Sequence, residues 1–133
     1  NAESGLKGLT GISDMRDISA LAVAKDPVAQ EALEIYTQRV RHYLGAYFAE
    51  LGRPDAIVFT AGVGENSAEI RSMICANLKA LGIEIDEDLN QAMAKDNRDI
   101  SLLGSRVRVL VIPTNEELEI ANQTAALLKE GRA

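Results

Sequence analysis

Gly62 and Gly64 stand one residue apart inside IVFTAGVGENSAEIR, residues 57–71. A run of strand formers precedes them, and Glu65, Asn66 and Ser67 follow before a helical pattern begins. Glycine tolerates positive φ and lets backbone come close to a ligand. The first N–H groups of a helix aim free donors, and the positive end of its dipole, at the same place. Strand end, permissive glycines and helix start together suit an anion, with phosphate the obvious guest. The spacing by itself is a weak signal. GVGENS matches neither the full G-x-G-x-x-G fingerprint nor the P-loop G-x-x-x-x-G-K-[ST]. The competing reading is a tight turn that leads into a capped helix.

The elements that must position this stretch follow from periodicity. Asp26-Pro27 is a strong helix start, because Asp caps and Pro suits the first turn. Leu33, Tyr36, Val40, Leu44, Tyr47 and Leu51 recur at steps of three and four, so a long amphipathic helix runs to Leu51, with Gly52 just past its end. A shorter helix is expected over 17–24. Residues 55–60, DAIVFT, are apolar after Asp55, the mark of a strand buried on both faces. From Asn66 to Leu81 the period is helical again, with Asn66 and Glu69 as a variant capping box and Gly82 as the stop. Ile83 and Ile85 suggest a short strand, and Asp86 a cap for a helix through Met93. Residues 107–113, VRVLVIP, form a second main strand. The helix of TNEELEIANQTAALLKE follows, with Thr114 and Glu117 as its capping box.

Helix, strand, helix, strand, helix in that order predicts α/β layering, with parallel strands joined by right-handed crossovers. The two main strands, 55–60 and 107–113, are expected to pair in parallel between three long helices. Ligands in such folds bind beyond the carboxyl ends of the strands, which is where Gly62 and Gly64 fall. Two long strands are few for a covered parallel sheet, so partner strands are expected from chain outside this segment. The loose opening, with Gly5, Gly8 and Gly11 and no initiator Met, points the same way. Asn1 and Ala2 are compatible with a tag remnant and are set aside.

Bulk properties remove several functional classes. The 133 residues suffice for one domain with a sizeable core. With aromatics at 4% and no Trp, aliphatic side chains must build that core. A net charge of -6 and a pI near 4.8 argue against a nucleic-acid surface, which needs clustered Lys and Arg. Arg39 and Arg41 around His42 read as a solvated helix edge, and His42 as a surface or interface residue. One cysteine, Cys75, excludes an internal disulfide or a thiolate zinc cluster and reads as inert packing beside an apolar stripe. No apolar run approaches the length that spans a bilayer, so no membrane role is expected. The cytoplasm is the expected compartment.

Three segments in this order, SGLKGLTGISDMRDI, FTAGVGENSAEIR and VIPTNEELEIA, resemble the acetate kinase family. The likeness runs from Ser4 to about Leu128 and is most specific in GVGENS and PTNEEL. It implies the C-terminal part of the second domain of an acetate or propionate kinase, spanning residues 1–133. That domain would be a ribonuclease H-like ATPase domain of the sugar kinase, heat-shock 70 and actin superfamily. The activity implied is reversible phosphoryl transfer from ATP to acetate, giving acetyl phosphate and ADP. Matched motif by motif, the resemblance places Asp14, Met15 and Arg16 at the adenosine end of the nucleotide. It places Gly62, Val63, Gly64, Glu65 and Asn66 along the nucleotide, and makes Glu116 the carboxylate associated with magnesium. Each has a plainer reading. Asp14 and Arg16 suit a capped, solvated turn, and a carboxylate in a first helical turn is favoured by the dipole. Magnesium takes one or two carboxylates plus phosphate oxygens and water, so a lone Glu116 fits it only beside ATP.

The resemblance also implies a homodimer, with ATP and acetate as the complete enzyme's small-molecule partners. Its arginines, histidine and aspartate that surround the transferring phosphoryl lie upstream of this segment, so the isolated chain is expected to be inactive. The alternative from another class is a non-catalytic nucleotide-binding or dimerisation module, with the helix through residues 33–51 as its partner surface.

Overall fold

The computed structural model describes residues 5–92 and 96–130. Their order is α1 (Leu6–Thr10), α2 (Met15–Val23), α3 (Pro27–Leu51), β1 (Ala56–Phe59), α4 (Ala61–Asn66) and α5 (Ala68–Cys75). A single 3-10 turn at Lys79–Leu81 follows, then α6 (Glu87–Gln91), β2 (Arg98–Asp99), β3 (Arg108–Val111) and α7 (Glu116–Glu130). The fold is α/β as expected, and β1 and β3 pair in parallel with Ile57 opposite Val109 and Phe59 opposite Val111. The ladder continues at both ends, where Arg108 N–H donates to the Asp55 carbonyl and Ile112 N–H to the Phe59 carbonyl, both at 2.9 Å.

The sheet departs from expectation in two ways. A third strand, β2, lies antiparallel on the far side of β3, with Arg98 opposite Val111. Two residues carry no readable period, so nothing in the sequence announced it. The main strands are also not covered alike on both faces. Ile57 and Phe59 are buried, whereas Val58 is 49% exposed. The continuous apolar run therefore works as an alternating strand with one face on the core. Ile83 and Ile85 contribute a single antiparallel bridge, Ile85 to Ser101, rather than a strand. Ile83 is nevertheless fully packed.

The core joins that sheet face, through Ile57, Phe59, Val109 and Val111, to Ile18 of α2, Leu33 of α3 and Ile70 and Ile74 of α5. The α2 helix begins at Met15 rather than Asp17 because Asp14 caps it, accepting from Arg16 N–H at 2.9 Å. The start of α3 is as read: Asp26 accepts from Ala29 N–H at 2.8 Å, with Pro27 in the first turn. Along α3 the buried positions are Ala29, Ala32, Leu33, Thr37 and Phe48, while Tyr47 and Leu51 are exposed. Thr37 tolerates burial because its hydroxyl donates back to the Leu33 carbonyl at 2.8 Å.

The helix expected from Asn66 to Leu81 is shorter and capped elsewhere. Asn66 Nδ2 donates to the Gly62 carbonyl at 2.7 Å, and Ser67 caps α5 by accepting from Ile70 N–H at 3.2 Å. After Cys75 the chain leaves helical geometry at Ala76 (ψ 136) and enters the left-handed region at Asn77 (φ 59). Leu78 still reaches the core, so the apolar period continues across a break in the helix. Asp86 caps α6 as expected, accepting from Asp88 and Leu89 N–H groups at 3.0 Å each. The expected end of α6 at Met93 lies outside the described residues, as do Asn1 and Ala2. At the opening, residues read as patternless form α1, closed by Gly11 in the left-handed region (φ 75).

Candidate functional site

The stretch expected to be an open glycine loop is a short helix, α4. Gly62 and Gly64 do not take positive φ; the left-handed residue at the strand-to-helix corner is Ala61, at φ 57. The two glycines serve different ends. A Cβ on Gly64 would sit 3.3 Å from the Phe59 carbonyl carbon, and 3.5 Å from its Cα and Cβ. Gly64 therefore lets α4 fold closely back onto the end of β1, where a side chain would force a small shift. A Cβ on Gly62 would meet nothing within 4 Å.

Gly62 faces a cavity of about 970 Å³, the size range of ordinary ligand sites. One wall comes from α4 and the start of α5, with Gly62, Val63, Asn66, Ser67 and Glu69. The other comes from α1, α2, α3 and the turn before α2, with Leu6, Asp14, Met15, Arg16 and Tyr36 among its residues. Segments 14–16 and 62–66, read separately from the sequence, thus share one cavity. Its described lining carries one cation, Arg16, which is already matched. Asp14 Oδ1 accepts from Arg16 Nε at 3.0 Å and Oδ2 from Arg16 Nη2 at 2.6 Å. These hydrogen bonds hold the Asp14 carboxyl down at about 2 and raise the Arg16 guanidinium. With Glu69 also present, this surface suits a neutral, partly apolar group better than a cluster of phosphate charges.

Gly64 and Glu65 are held elsewhere. Arg71, read only as part of a helix, is 2% exposed and reaches back under α4. Its Nη1 donates to the carbonyls of Gly64 and Glu65 at 2.8 and 2.9 Å. Its Nε and Nη2 donate to Asn90 Oδ1 and the Asn90 carbonyl at 2.7 and 2.8 Å. Asn90 is itself fully buried and donates through Nδ2 to the Ala68 carbonyl, Ser72 Oγ and Glu87 Oε2. Burial, and after it the neighbouring Arg98, lowers the Arg71 pKa. A guanidinium starts so high that it stays charged. Sequence reading missed this group, because an Arg beside an apolar stripe looks the same whether it snorkels or folds inward.

Glu65 turns toward the end of β3. Its Oε1 accepts from Thr114 N–H at 2.7 Å and from Thr114 Oγ1 at 2.8 Å, and these bonds lower its pKa. The Thr114 hydroxyl is thereby engaged away from its expected capping box, and α7 begins only at Glu116. Glu116 stands in the first turn of α7, two residues beyond Thr114; its side chain and that of Glu117 lie outside the described residues. Among the described residues no group of three or more His, Cys, Asp and Glu is placed to hold a metal. His42 is exposed on α3. Cys75 is buried, and burial pushes its thiol up to about 12. Among the described residues no helix is long and apolar enough to cross a membrane.

Fold and site together define an α/β protein in which the segment beyond the carboxyl end of β1 and the turn before α2 line one ligand-sized cavity. The sequence profile of the Acetokinase family matches residues 1–122, and the chain belongs to that family. An acetate kinase from Clavibacter michiganensis subsp. michiganensis is 54% identical over 126 residues, 95% of this chain and 32% of the relative. Acetate kinase from Porphyromonas gingivalis superposes with a TM-score of 0.83 at 38% identity, covering 95% of this chain and 32% of that one. A propionate kinase from Francisella tularensis subsp. tularensis gives 0.80 at 41% identity, covering 90% and 30%. The chain thus spans about a third of the length of the relatives that it matches.

Proposed function

We propose that residues 1–133 are the C-terminal part of the second domain of an acetate kinase and supply the nucleotide side of its active site. The complete enzyme would be a cytoplasmic homodimer. It would transfer the terminal phosphoryl of ATP to acetate: a carboxylate oxygen bonds to the γ-phosphorus, the bond to the β,γ-bridging oxygen breaks, and ADP leaves. The observation that carries this reading is the shared cavity. Asp14, Met15 and Arg16 face Gly62, Val63 and Asn66 across it, although 45 residues lie between the two segments.

The partly apolar, weakly acidic lining fits the uncharged nucleoside, with Val63, Met15 and Tyr36 offering contact surface and the Asp14–Arg16 pair polar edges. The open side of Gly62 leaves room for the nucleotide to run along α4. Magnesium bound mainly by phosphate oxygens needs only one or two protein carboxylates, and the family resemblance gives that role to Glu116, which stands in the first turn of α7. When bound with ATP, that ion would neutralise phosphate charge. The residues described here bind and orient; they bring no unpaired cation to the transferring group, and the isolated chain is expected to show no turnover.

Gly62→Val in the complete enzyme tests the reading. Its side chain enters open cavity, so folding should be unchanged while the KM for ATP rises about tenfold or more and the KM for acetate does not change. An ATP KM within error of the parent's, in a folded variant, overturns the assignment of the cavity to nucleotide.

A further inference from the structure

We propose that Glu65 is a positioning residue: its carboxylate holds Thr114, and with it the start of α7 that carries Glu116, at a fixed distance from the α4 turn. The inference rests on the nucleotide reading above and deepens it, by naming how the two strand ends are kept in register with each other. Three observations carry it. Both donors of Thr114, N–H and Oγ1, end on one oxygen of Glu65 across a sequence separation of 49 residues. The backbone of Glu65 is itself immobilised, since its carbonyl accepts from Arg71 Nη1 at 2.9 Å and, more distantly, from Arg98 Nη2 at 3.5 Å. The two segments leave adjacent parallel strands, whose last rung is Ile112 N–H to the Phe59 carbonyl.

Alternate residues of β3 donate toward β1, Arg108 and Ile112 among them, so the next donor in line is Thr114 N–H, and it ends on Glu65 Oε1. Glu65 therefore supplies the next cross-strand bond in the ladder's place. A carboxylate accepts charge-assisted hydrogen bonds at these lengths. Partners that orient a metal ligand from behind commonly affect metal affinity or activity by about 10–100-fold. Because Thr114 is exposed to water, the lower end of that range is expected. Glu65 thus acts through Thr114 and need not touch nucleotide.

The test compares Glu65→Ala, Glu65→Gln and Thr114→Val in the complete enzyme. The readouts are the magnesium concentration that half-saturates turnover, the equilibrium affinity for ADP without metal, and the exchange rate of the Thr114 amide without any ligand. In Glu65→Ala the Thr114 amide should exchange about tenfold faster, and half-saturating magnesium should rise about tenfold. Glu65→Gln should recover most of both, because its Oε1 accepts from the same two donors. Thr114→Val should raise the magnesium requirement too, and combining it with Glu65→Ala should add little. Metal-free ADP affinity should be unchanged throughout.

The inference is overturned if Glu65→Gln is as impaired as Glu65→Ala, which would make the charge itself the active feature. Loss of metal-free ADP affinity in Glu65→Ala overturns it as well, by making Glu65 a nucleotide contact. Additive defects, or an unaltered Thr114 amide, overturn it in the same way. Gly62→Val separates this from failure of the wider reading: if it weakens ATP while the Glu65 variants change nothing, only the present inference falls.

Discussion

Arg71→Leu is expected to be among the most damaging single changes in this chain, although Arg71 lies outside the cavity lining. The replacement keeps much of the apolar volume but withdraws four hydrogen bonds at 2.7 to 2.9 Å. The carbonyls of Gly64, Glu65 and Asn90 and the side chain of Asn90 then lose a charged donor, the two on Asn90 where water has little access. Relief from burying the guanidinium offsets part of this, since a buried cation carries its own desolvation cost. Acceptors left unpaired each cost about 1–3 kcal/mol. The net for a broken buried charged network is about 3–5 kcal/mol. In a domain of this size each kcal/mol moves Tm by about 4 °C, so Tm should fall by about 12–20 °C. Thermal unfolding followed by circular dichroism, with urea titration to verify an unchanged m-value, measures it. Asn90→Leu should lose a similar amount, and the double variant far less than the sum. A Tm within about 2 °C of the parent's for Arg71→Leu would refute the claim that this side chain holds α4 in place.

Asp14 should titrate near 2 by carboxyl NMR, because Arg16 bonds to its charged form; Arg16→Ala should move it up toward 3.8. The sign follows: a depressed carboxylate contributes to the α2 cap above its unfolded pKa, and that contribution is lost as pH falls toward 2. Cys75, buried and with its thiol pushed up to about 12, should react with a thiol reagent at pH 8 only when the chain is unfolded; rapid modification of the native protein would contradict its packing.

What the sequence disclosed, and what it withheld, divides along physical lines. The runs DAIVFT and VRVLVIP announced β1 and β3 because apolar β-formers bounded by breakers have few other readings. Asp26-Pro27 announced α3 for the same kind of local reason. In α4, by contrast, two glycines in six residues argue against a helix. It is helical because Arg71 and the Asn66 bond to Gly62 fasten it, and such tertiary support leaves no local trace. The end of α5 was hidden by Leu78 and Leu81, which keep the apolar period while the backbone changes course at Asn77. The cavity's two walls were legible as motifs, Asp14 to Arg16 and Gly62 to Asn66. Which glycine faces ligand space and which faces Phe59 was not, since that depends on how α4 folds back. The partnership of Glu65 with Thr114 and of Arg71 with Asn90 depends on contacts that only the assembled sheet creates.

The parallel rung between Ile57 and Val109 has a consequence for biosynthesis. Fifty-two residues separate those partners, so when β1 emerges during synthesis the strand that it must join does not yet exist. At about 5–20 residues per second the delay is roughly 3 to 10 s, long compared with the microseconds in which α3 can form. For that interval the edge of Ile57, Val58 and Phe59 that β3 will cover has no partner, and an apolar segment with a bare edge is what chaperones and aggregation both recognise. Substitutions that slow translation between α5 and β3, without altering any residue of the finished protein, should therefore lower soluble yield. They should leave the stability of the molecules that do fold unchanged.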